Sequence, residues 1–561
     1  ILDLIVDWSS QINDRGPDRT IFEKKQTLII QDDDTPKSTP NYYRIRGFHR
    51  LTIQGHMDGE NAFIENEKYE ILCNGEVYPP EHLKEKYKPH RIKGQSDCEW
   101  ILDELTENGI NGTIDLLQHS EFACIIYNKI TGEIIIGRDS FGIRPLFEVT
   151  ILPKKVTSSP HAHEYYTPTK VWCSELKYIP FRKLQDMDIQ VTAQQVGWDH
   201  FHYYSPTSLR FERSSVINDF MSPIISHKNN MSLKQKEDSL FRALYQAMDD
   251  RLSYSDKPIG YLLSGGMDSG VTCALGQKFF TPKNQKIRTF AIGLSKDSTD
   301  IINAQKVADY LGTDHTSIIV TKDDFINAIE DVIIAEETWD VTTIRAGIGM
   351  FLIAKWIREN TDIRVLITGE GSDELFGSYR YFMNAPSPSE HRAETKRLLS
   401  DLAYFDVLRC DRTISGNKLE ARVPFLDSRV VRTVFEDFDD TDFNSHDGLL
   451  KIILRSMASR YELLPDEIIH RKKEAFSDGV SSAIVEKPWY EEYSDAYQTG
   501  VNFITCGFDY HCPPKTKEAI AYRDIFEFHY PGLARIIPYQ WLPKWCGDQV
   551  DPSARVLSVY E

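Results

Sequence analysis

From residue 259 onward the sequence switches repeatedly between short apolar runs and longer amphipathic stretches: 259–263, then 270–279, 288–293, 301–311 and 315–320. The short runs read as strands and the stretches between them as helices, and this alternation implies a parallel sheet joined by right-handed crossovers. In such a sheet ligands bind outside the carboxyl ends of the strands. Two Gly-rich segments fall at that place. Ser264-Gly265-Gly266-Met267-Asp268-Ser269 follows the first strand and runs into a helix, and Thr368-Gly369-Glu370-Gly371-Ser372-Asp373-Glu374 follows a strand at 365–368. Both loops are expected to border one crevice.

The first loop has the parts of an anion site. Bare backbone N–H groups at a helix start point outward, and the helix dipole favours negative charge there. Ser264 and Ser269 add hydroxyl donors, and Asp268 is a candidate Mg²⁺ ligand. The Walker pattern would require a Lys after the second Gly, and none is present. Taken alone, a Ser-Gly-Gly turn is as often a mere connection. Acidic residues in Gly-Ser loops are usually solvated, and an isolated Arg or Lys is usually a surface cation.

A chain of 561 residues is too long for one hydrophobic core. Up to about residue 190 it reads as α+β, with short strands at 68–73, 122–127 and 133–136, and the polar stretch 205–236 reads as a linker. The expected domains are 1–204 and 237–561. With 65 basic against 84 acidic residues the net charge is −19, which argues against a nucleic-acid partner. No apolar run reaches the roughly 18 residues that span a bilayer, and residues 1–10 carry Asp3 and Asp7 instead of a basic leader. A cytosolic, membrane-free protein is expected. The 9 cysteines contain no CxxC pair, so neither a disulfide framework nor a zinc site is indicated.

Ser264 to Ser269 resembles the SGGxDS pyrophosphate loop of ATP pyrophosphatases, and the second Gly-rich loop resembles the SGEGSDE loop of asparagine synthetases. Thr342-Thr343-Ile344-Arg345, Ala421-Arg422-Val423-Pro424-Phe425-Leu426-Asp427 and Lys472-Lys473-Glu474-Ala475-Phe476-Ser477-Asp478-Gly479 complete a set in family order, and the tail Asp551-Pro552-Ser553-Ala554-Arg555 is also similar. The N-terminal half resembles a class II glutamine amidotransferase through Arg15-Gly16-Pro17-Asp18, Arg50-Leu51-Thr52-Ile53, Asn74-Gly75-Glu76-Val77-Tyr78, Ser96-Asp97 and the segment from Gly137-Arg138-Asp139 to Pro145-Leu146.

The resemblance implies an N-terminal-nucleophile-type α+β sandwich, then a doubly wound parallel α/β sheet with an ATP-pyrophosphatase loop. It implies adenylation of aspartate by ATP, with Mg²⁺, and amide formation with nitrogen from glutamine or ammonia; a homodimer is compatible with it. By resemblance Asp268 and Asp373 hold the metal. Ser264, Gly265, Gly266, Ser269, Thr342, Thr343, Arg345 and Lys473 hold pyrophosphate and the developing charge, with Arg345 and Lys473 in catalytic roles. Backbone groups of Leu263, Ile292 and Gly369 meet adenine, and Glu370 takes the proton of attacking ammonia. In the N-terminal half Arg50 pairs with the glutamine carboxylate, Glu76 and Asp97 receive its amine, and Asn74 with Gly75 forms the oxyanion hole.

The family's nucleophile is a cysteine at residue one, whereas residue one of this sequence is Ile1. Residues 1–6 are expected to be the domain's first strand. Cys73 and Cys98 are poor substitutes, since neither brings an α-amine base. Alternatives within the resemblance are an ammonia-only synthetase and a β-lactam synthetase-like cyclase. The intact Glu370 loop argues against the cyclase, which has no ammonia to deprotonate.

Overall fold

The computed structural model describes residues 1–12, 14–27, 42–54, 63–88, 96–152, 168–205, 209–218, 231–443, 449–472, 487–497 and 511–551. The chain divides into two compact units, Ile1–Asn218 and Asp219–Glu561.

The first unit is built on antiparallel strands. β1 (Arg19–Thr27) pairs with β2 (Tyr42–Arg50). β3 (Ile64–Glu65), β4 (Tyr69–Glu76), β5 (Glu121–Asn128) and β6 (Ile134–Arg138) join β10 (His200–Tyr204) and β11 (Phe211–Val216) in a six-stranded sheet of order β11-β10-β6-β5-β4-β3. β7 (Phe147–Leu152) lies between β8 (Thr169–Cys173) and β9 (Gln190–Gln195) in a three-stranded sheet. Ala123, Ile136 and Tyr204 from the larger sheet share a core with Trp172 of β8, so the two sheets bury apolar faces against each other.

The turn after β6 is organised around one carboxylate. Asp139 is 1% exposed and accepts the N–H groups of Phe122 (3.2 Å), Phe141 (3.1 Å), Ile143 (2.9 Å) and Arg144 (3.0 Å). The family-like stretch 137–146 is therefore a brace for the sheet. Asp139→Ala would orphan those donors. It is expected to destabilise the first unit by roughly 3–5 kcal/mol, as breaking a buried polar network does, and a thermal melt followed by tryptophan fluorescence would read the loss.

The structure corrects the sequence reading at two places here. Leu2–Ser9 is a helix, not a strand: Ile5 and Ser9 are buried while Asp3 and Asp7 are exposed, a four-residue spacing that puts each pair on one helical face. The stretch 205–236 is not all connection. It contains β11, whose side chains are mostly exposed and which is held by backbone pairing to β10, so no apolar alternation betrays it. It also contains the start of the Leu233–Ser253 helix, where Ser232 and Gln235 form a capping box.

The second unit carries the expected parallel sheet, β14-β13-β12-β15-β16, made of β12 (Ile259–Leu262), β13 (Arg288–Gly293), β14 (Asp314–Ile319), β15 (Val365–Ile367) and β16 (Glu420–Arg422). The chain builds outward from β12 to β14, then returns to place β15 on the other side of β12. That reversal lies between β12 and β15, where the two Gly-rich loops leave the sheet. The motif 421–427 braces this region from behind. Arg422 Nη1 donates to the carbonyls of Arg251 (2.6 Å) and Tyr254 (2.8 Å), and Asp427 is paired with Arg251 (2.9 Å) at full burial. Among the described residues no helix is long and apolar enough to cross a membrane.

Candidate active site

A cavity of about 340 Å³ opens at the β12/β15 reversal. After β12 the chain turns at Gly265 (φ 74°), and a Cβ there would stand 2.4 Å from the Ala304 backbone nitrogen. Only glycine permits this approach. Gly265→Ala is expected to cost about 1–3 kcal/mol through backbone strain, measurable by chemical denaturation.

Gly266 begins the Met267–Phe280 helix with no side-chain cap, which leaves the first-turn N–H groups of a cavity-lining helix start without a side-chain acceptor. The Ser264 and Ser269 hydroxyls meet at 3.1 Å, and the Ser264 N–H donates to Ser269 Oγ at 3.2 Å. Leu263, Ser264, Gly266, Asp268 and Ser269 line the cavity. Gly265 does not; it shapes the turn, and its carbonyl accepts Arg471 Nη1 at 3.1 Å.

The second loop closes on the first. A Cβ on Gly369 would lie 3.0 Å from Asp268 Cβ and from the Ser269 amide nitrogen. Asp268 accepts Ser372 Oγ at 2.7 Å and is paired with Lys451, whose Nζ also reaches Asp373 at 2.7 Å. Two carboxylates from two loops thus converge on one cation. Among the described residues no cluster of three or more metal-type side chains occurs. A pair is nevertheless the usual protein share of a Mg²⁺ site, the rest coming from water and substrate phosphates.

Lys451 is the chief site residue with no signal in the sequence. Its surroundings, Leu450-Lys451-Ile452, resemble any helix start, although its backbone is left-handed (φ 61°), an uncommon state for a side chain of this kind. Arg455, Arg471 and Lys472 add positive charge along the same rim. Lys473 lies outside the described residues.

The helix Val341–Asn360 contributes part of the cavity wall. Thr342 lines the cavity, and among the described residues its buried Oγ1 has no hydrogen-bond partner, as a ligand-facing hydroxyl would. Thr343 is a correction: it faces away, with its N–H (3.0 Å) and hydroxyl (2.9 Å) both given to Asp340 at the helix cap, because adjacent helical residues point about 100° apart. Arg345 lines the cavity, but its guanidinium stacks on Tyr490 at 3.8 Å and is committed to Glu518 (Nε at 2.8 Å) and Asp551 (3.2 Å). Its proposed phosphate contact would require exchange of those partners. Phe290, Ile292, Met350 and Ile353 make the apolar end. The Leu263 N–H donates to the Phe290 carbonyl at 2.8 Å.

Deeper in the cavity sits an acidic group around one guanidinium. Glu370 accepts Arg409 Nη2 at 2.7 Å, and Asp406 accepts Nη1 at 2.9 Å. Desolvation raises Glu370 above the usual carboxylate range, against the pull of Arg409, and Asp406 and Asp373 add to the rise. Glu374, buried and raised well above its ordinary value by desolvation, is hydrogen-bonded by Tyr379. Neither Arg409 nor Asp406 stands out in sequence, since Asp406 to Arg412 reads as an ordinary polar helix.

An asparagine synthase family model matches residues 239–402 and 385–545, and a glutamine amidotransferase domain model matches residues 3–210. A relative described as a probable glutamine-hydrolysing asparagine synthetase, from Acanthamoeba polyphaga mimivirus, is 34% identical over 98% of this chain and 96% of its own. The glutamine-hydrolysing asparagine synthetases of Mus musculus and Homo sapiens are each 35% identical over 92% of this chain and 91% of theirs. The chain belongs to the asparagine synthetase family.

In this asparagine synthetase-family chain Arg50, Asn74, Gly75 and Glu76, singled out by sequence, lie at strand ends, and Asp97 precedes a helix. Arg50 ends β2 and is buried. Asn74, Gly75 and Glu76 end β4, and a Cβ on Gly75 would stand 2.2 Å from the Glu121 carbonyl oxygen. Asn74 Nδ2 is buried without a partner among the described residues, which suits an amide donor awaiting an oxyanion. Glu76 accepts Gln54 Nε2 at 2.7 Å, and Asp97 accepts the Val77 N–H at 2.6 Å. Cys98 stands at a helix start and not on a strand, so strand alternation does not describe it; its Sγ contacts the Gly75 carbonyl at 3.7 Å. Cys73 is hydrogen-bonded to Cys98 and pushed well above its ordinary pKa, chiefly by that bond and by burial, so it is a protonated core thiol.

Proposed function

We propose that the second unit adenylates the side chain of aspartate with ATP and then replaces AMP by ammonia, giving asparagine, and that the first unit is built to bind glutamine as the nitrogen source. The observation that carries this reading is the convergence of Asp268 and Asp373 on one cation, at the uncapped start of the Met267–Phe280 helix, with Glu370 deeper in the same cavity.

The phosphates of ATP lie along the Ser264 to Ser269 turn, where N–H groups and two hydroxyls offset their charge, and the purine takes the apolar end. Lys451 and Arg471, which line the same cavity, would supply cations to the leaving pyrophosphate. Asp268 and Asp373 would hold Mg²⁺, which supplies charge neutralisation at the phosphates when bound. For the second half-reaction ammonia attacks the acyl carbon and becomes positively charged; the C–O bond to AMP breaks, and the proton passes to the Glu370 carboxylate. The elevated pKa of Glu370 suits a base, because it binds that proton more firmly than an exposed carboxylate would.

The test is product analysis. Incubation with ATP, Mg²⁺, aspartate and ammonium should yield AMP, pyrophosphate and asparagine in equal amounts, and pyrophosphate exchange into ATP should need aspartate alone. Formation of ADP and phosphate instead would refute adenylation.

A further inference from the structure

Glu336 ends the Ile329–Glu336 helix, is fully buried, and has no hydrogen-bond partner among the described residues for either carboxyl oxygen. A Cβ on Gly347, in the facing Val341–Asn360 helix, would stand 1.8 Å from Glu336 Oε1, so the glycine makes room for this carboxyl. Burial without donors pushes the group well above the ordinary carboxylate range, which keeps it neutral in this arrangement. An apolar side chain of similar size would pack there without that cost, so the carboxyl calls for a reason beyond packing.

Its neighbour provides the contrast. Glu337 is equally buried, but it accepts Arg412 Nη2 at 2.9 Å from the Asp406–Ser415 helix. One turn earlier on that helix stands Arg409, engaged with Glu370 and Asp406 on the cavity side. On the surrounding helices Arg345 of Val341–Asn360 is paired with Glu518 and Asp551, and Arg523 of Lys517–His529 with Glu527; Asp411 of Asp406–Ser415 and Asp524 of Lys517–His529 are further buried carboxylates there. The acidic residues of Lys322–Asn327 are exposed. Arg409 and Asp340 are the charges whose fields act on Glu336, the first favouring its ionised form and the second opposing it.

We propose that Glu336 is a positioning residue for amide formation: once ionised it competes with Glu370 for the field of Arg409, weakening the hold of the guanidinium on Glu370 and freeing that carboxylate to take the ammonia proton. The proposal rests on Glu370 as the base. With Glu336 neutral, Arg409 remains on Glu370 and stabilises its charge, which weakens it as a base. As pH rises Glu336 releases its proton to solvent and Arg409 is shared between the two carboxylates. The gain therefore belongs to the alkaline side.

The experiment compares wild type with Glu336→Gln, which stays neutral at every pH, and Glu336→Leu. Ammonia-dependent asparagine formation is measured across pH at constant free ammonia, with aspartate-dependent pyrophosphate exchange in parallel. The wild-type to variant ratio for asparagine formation should be near unity at acid pH and rise several-fold through one ionisation, while the ratio for exchange stays flat. The Leu variant should melt a few degrees higher, since it removes an orphaned polar group, and it keeps the comparison open if the Gln variant folds poorly. A pH-independent ratio overturns the proposal, because a packing role would scale both activities alike. Failure of both variants to fold also overturns it, making the carboxyl a structural requirement. If Glu370→Gln leaves amide formation intact, the reading of Glu370 falls instead, whatever the Glu336 ratio does.

Discussion

Asp268→Ala is expected to abolish aspartate-dependent pyrophosphate release while leaving the fold intact. Asp268 stands in the first turn of the Met267–Phe280 helix, keeps 22% of its side chain exposed, and shares Lys451 with Asp373. Removing it takes away half of the paired carboxylate site without opening the core, and Lys451 keeps Asp373 as a partner. Without a held cation the anionic carboxylate and the anionic triphosphate must approach with less of their repulsion offset, and losing one such electrostatic element typically costs about 10² to 10³ in rate. Under the proposed Mg²⁺ role of Asp268 the loss should exceed that. The check is pyrophosphate exchange at saturating ATP beside a thermal melt: a folded variant with normal exchange would remove the two-carboxylate site from the mechanism.

Glu370→Gln is expected to separate the half-reactions. The amide keeps the shape of the loop and can still meet Arg409, but it cannot accept a proton, so pyrophosphate exchange should persist while asparagine formation falls by about 10² to 10⁴, the range for a positioned base. The sign of the pH effect follows from the raised pKa. Glu370 is the base only when ionised, and desolvation delays its ionisation, so wild-type amide formation should decline on acidification at a higher pH than an ordinary carboxylate would dictate. That limb should be missing from the Gln variant. Equal asparagine yields from the two proteins at constant free ammonia would exclude Glu370 as the base.

The parts of this protein legible in its sequence are those that depend on local chemistry. The alternation of strand and helix after residue 259 has one economical outcome, a parallel sheet, and the glycines at 265, 369 and 371 mark where the backbone must turn or come close. Asp268 and Asp373 can be suspected from their loops because loops after parallel strands share one crevice. Lys451 cannot, since it approaches that crevice from 183 positions away in sequence, carried by a helix whose start has no distinctive pattern. Arg409 and Asp406 are hidden for a similar reason: which face of a polar helix turns inward depends on what it packs against. Thr343 shows the converse, a residue inside a recognisable motif that the helix turns toward its own cap. The start of the chain reads as strand because a run of Leu, Ile and Val satisfies either period, and the burial of Ile5 and Ser9 decides for a helix. Sequence by itself determined the sheet, its two loops and the acidic residues they carry. The tertiary structure alone decided which distant cations those acids meet and that the Glu336 carboxyl has no hydrogen-bond partner among the described residues, because pairing in a folded interior depends on proximity that no local pattern encodes.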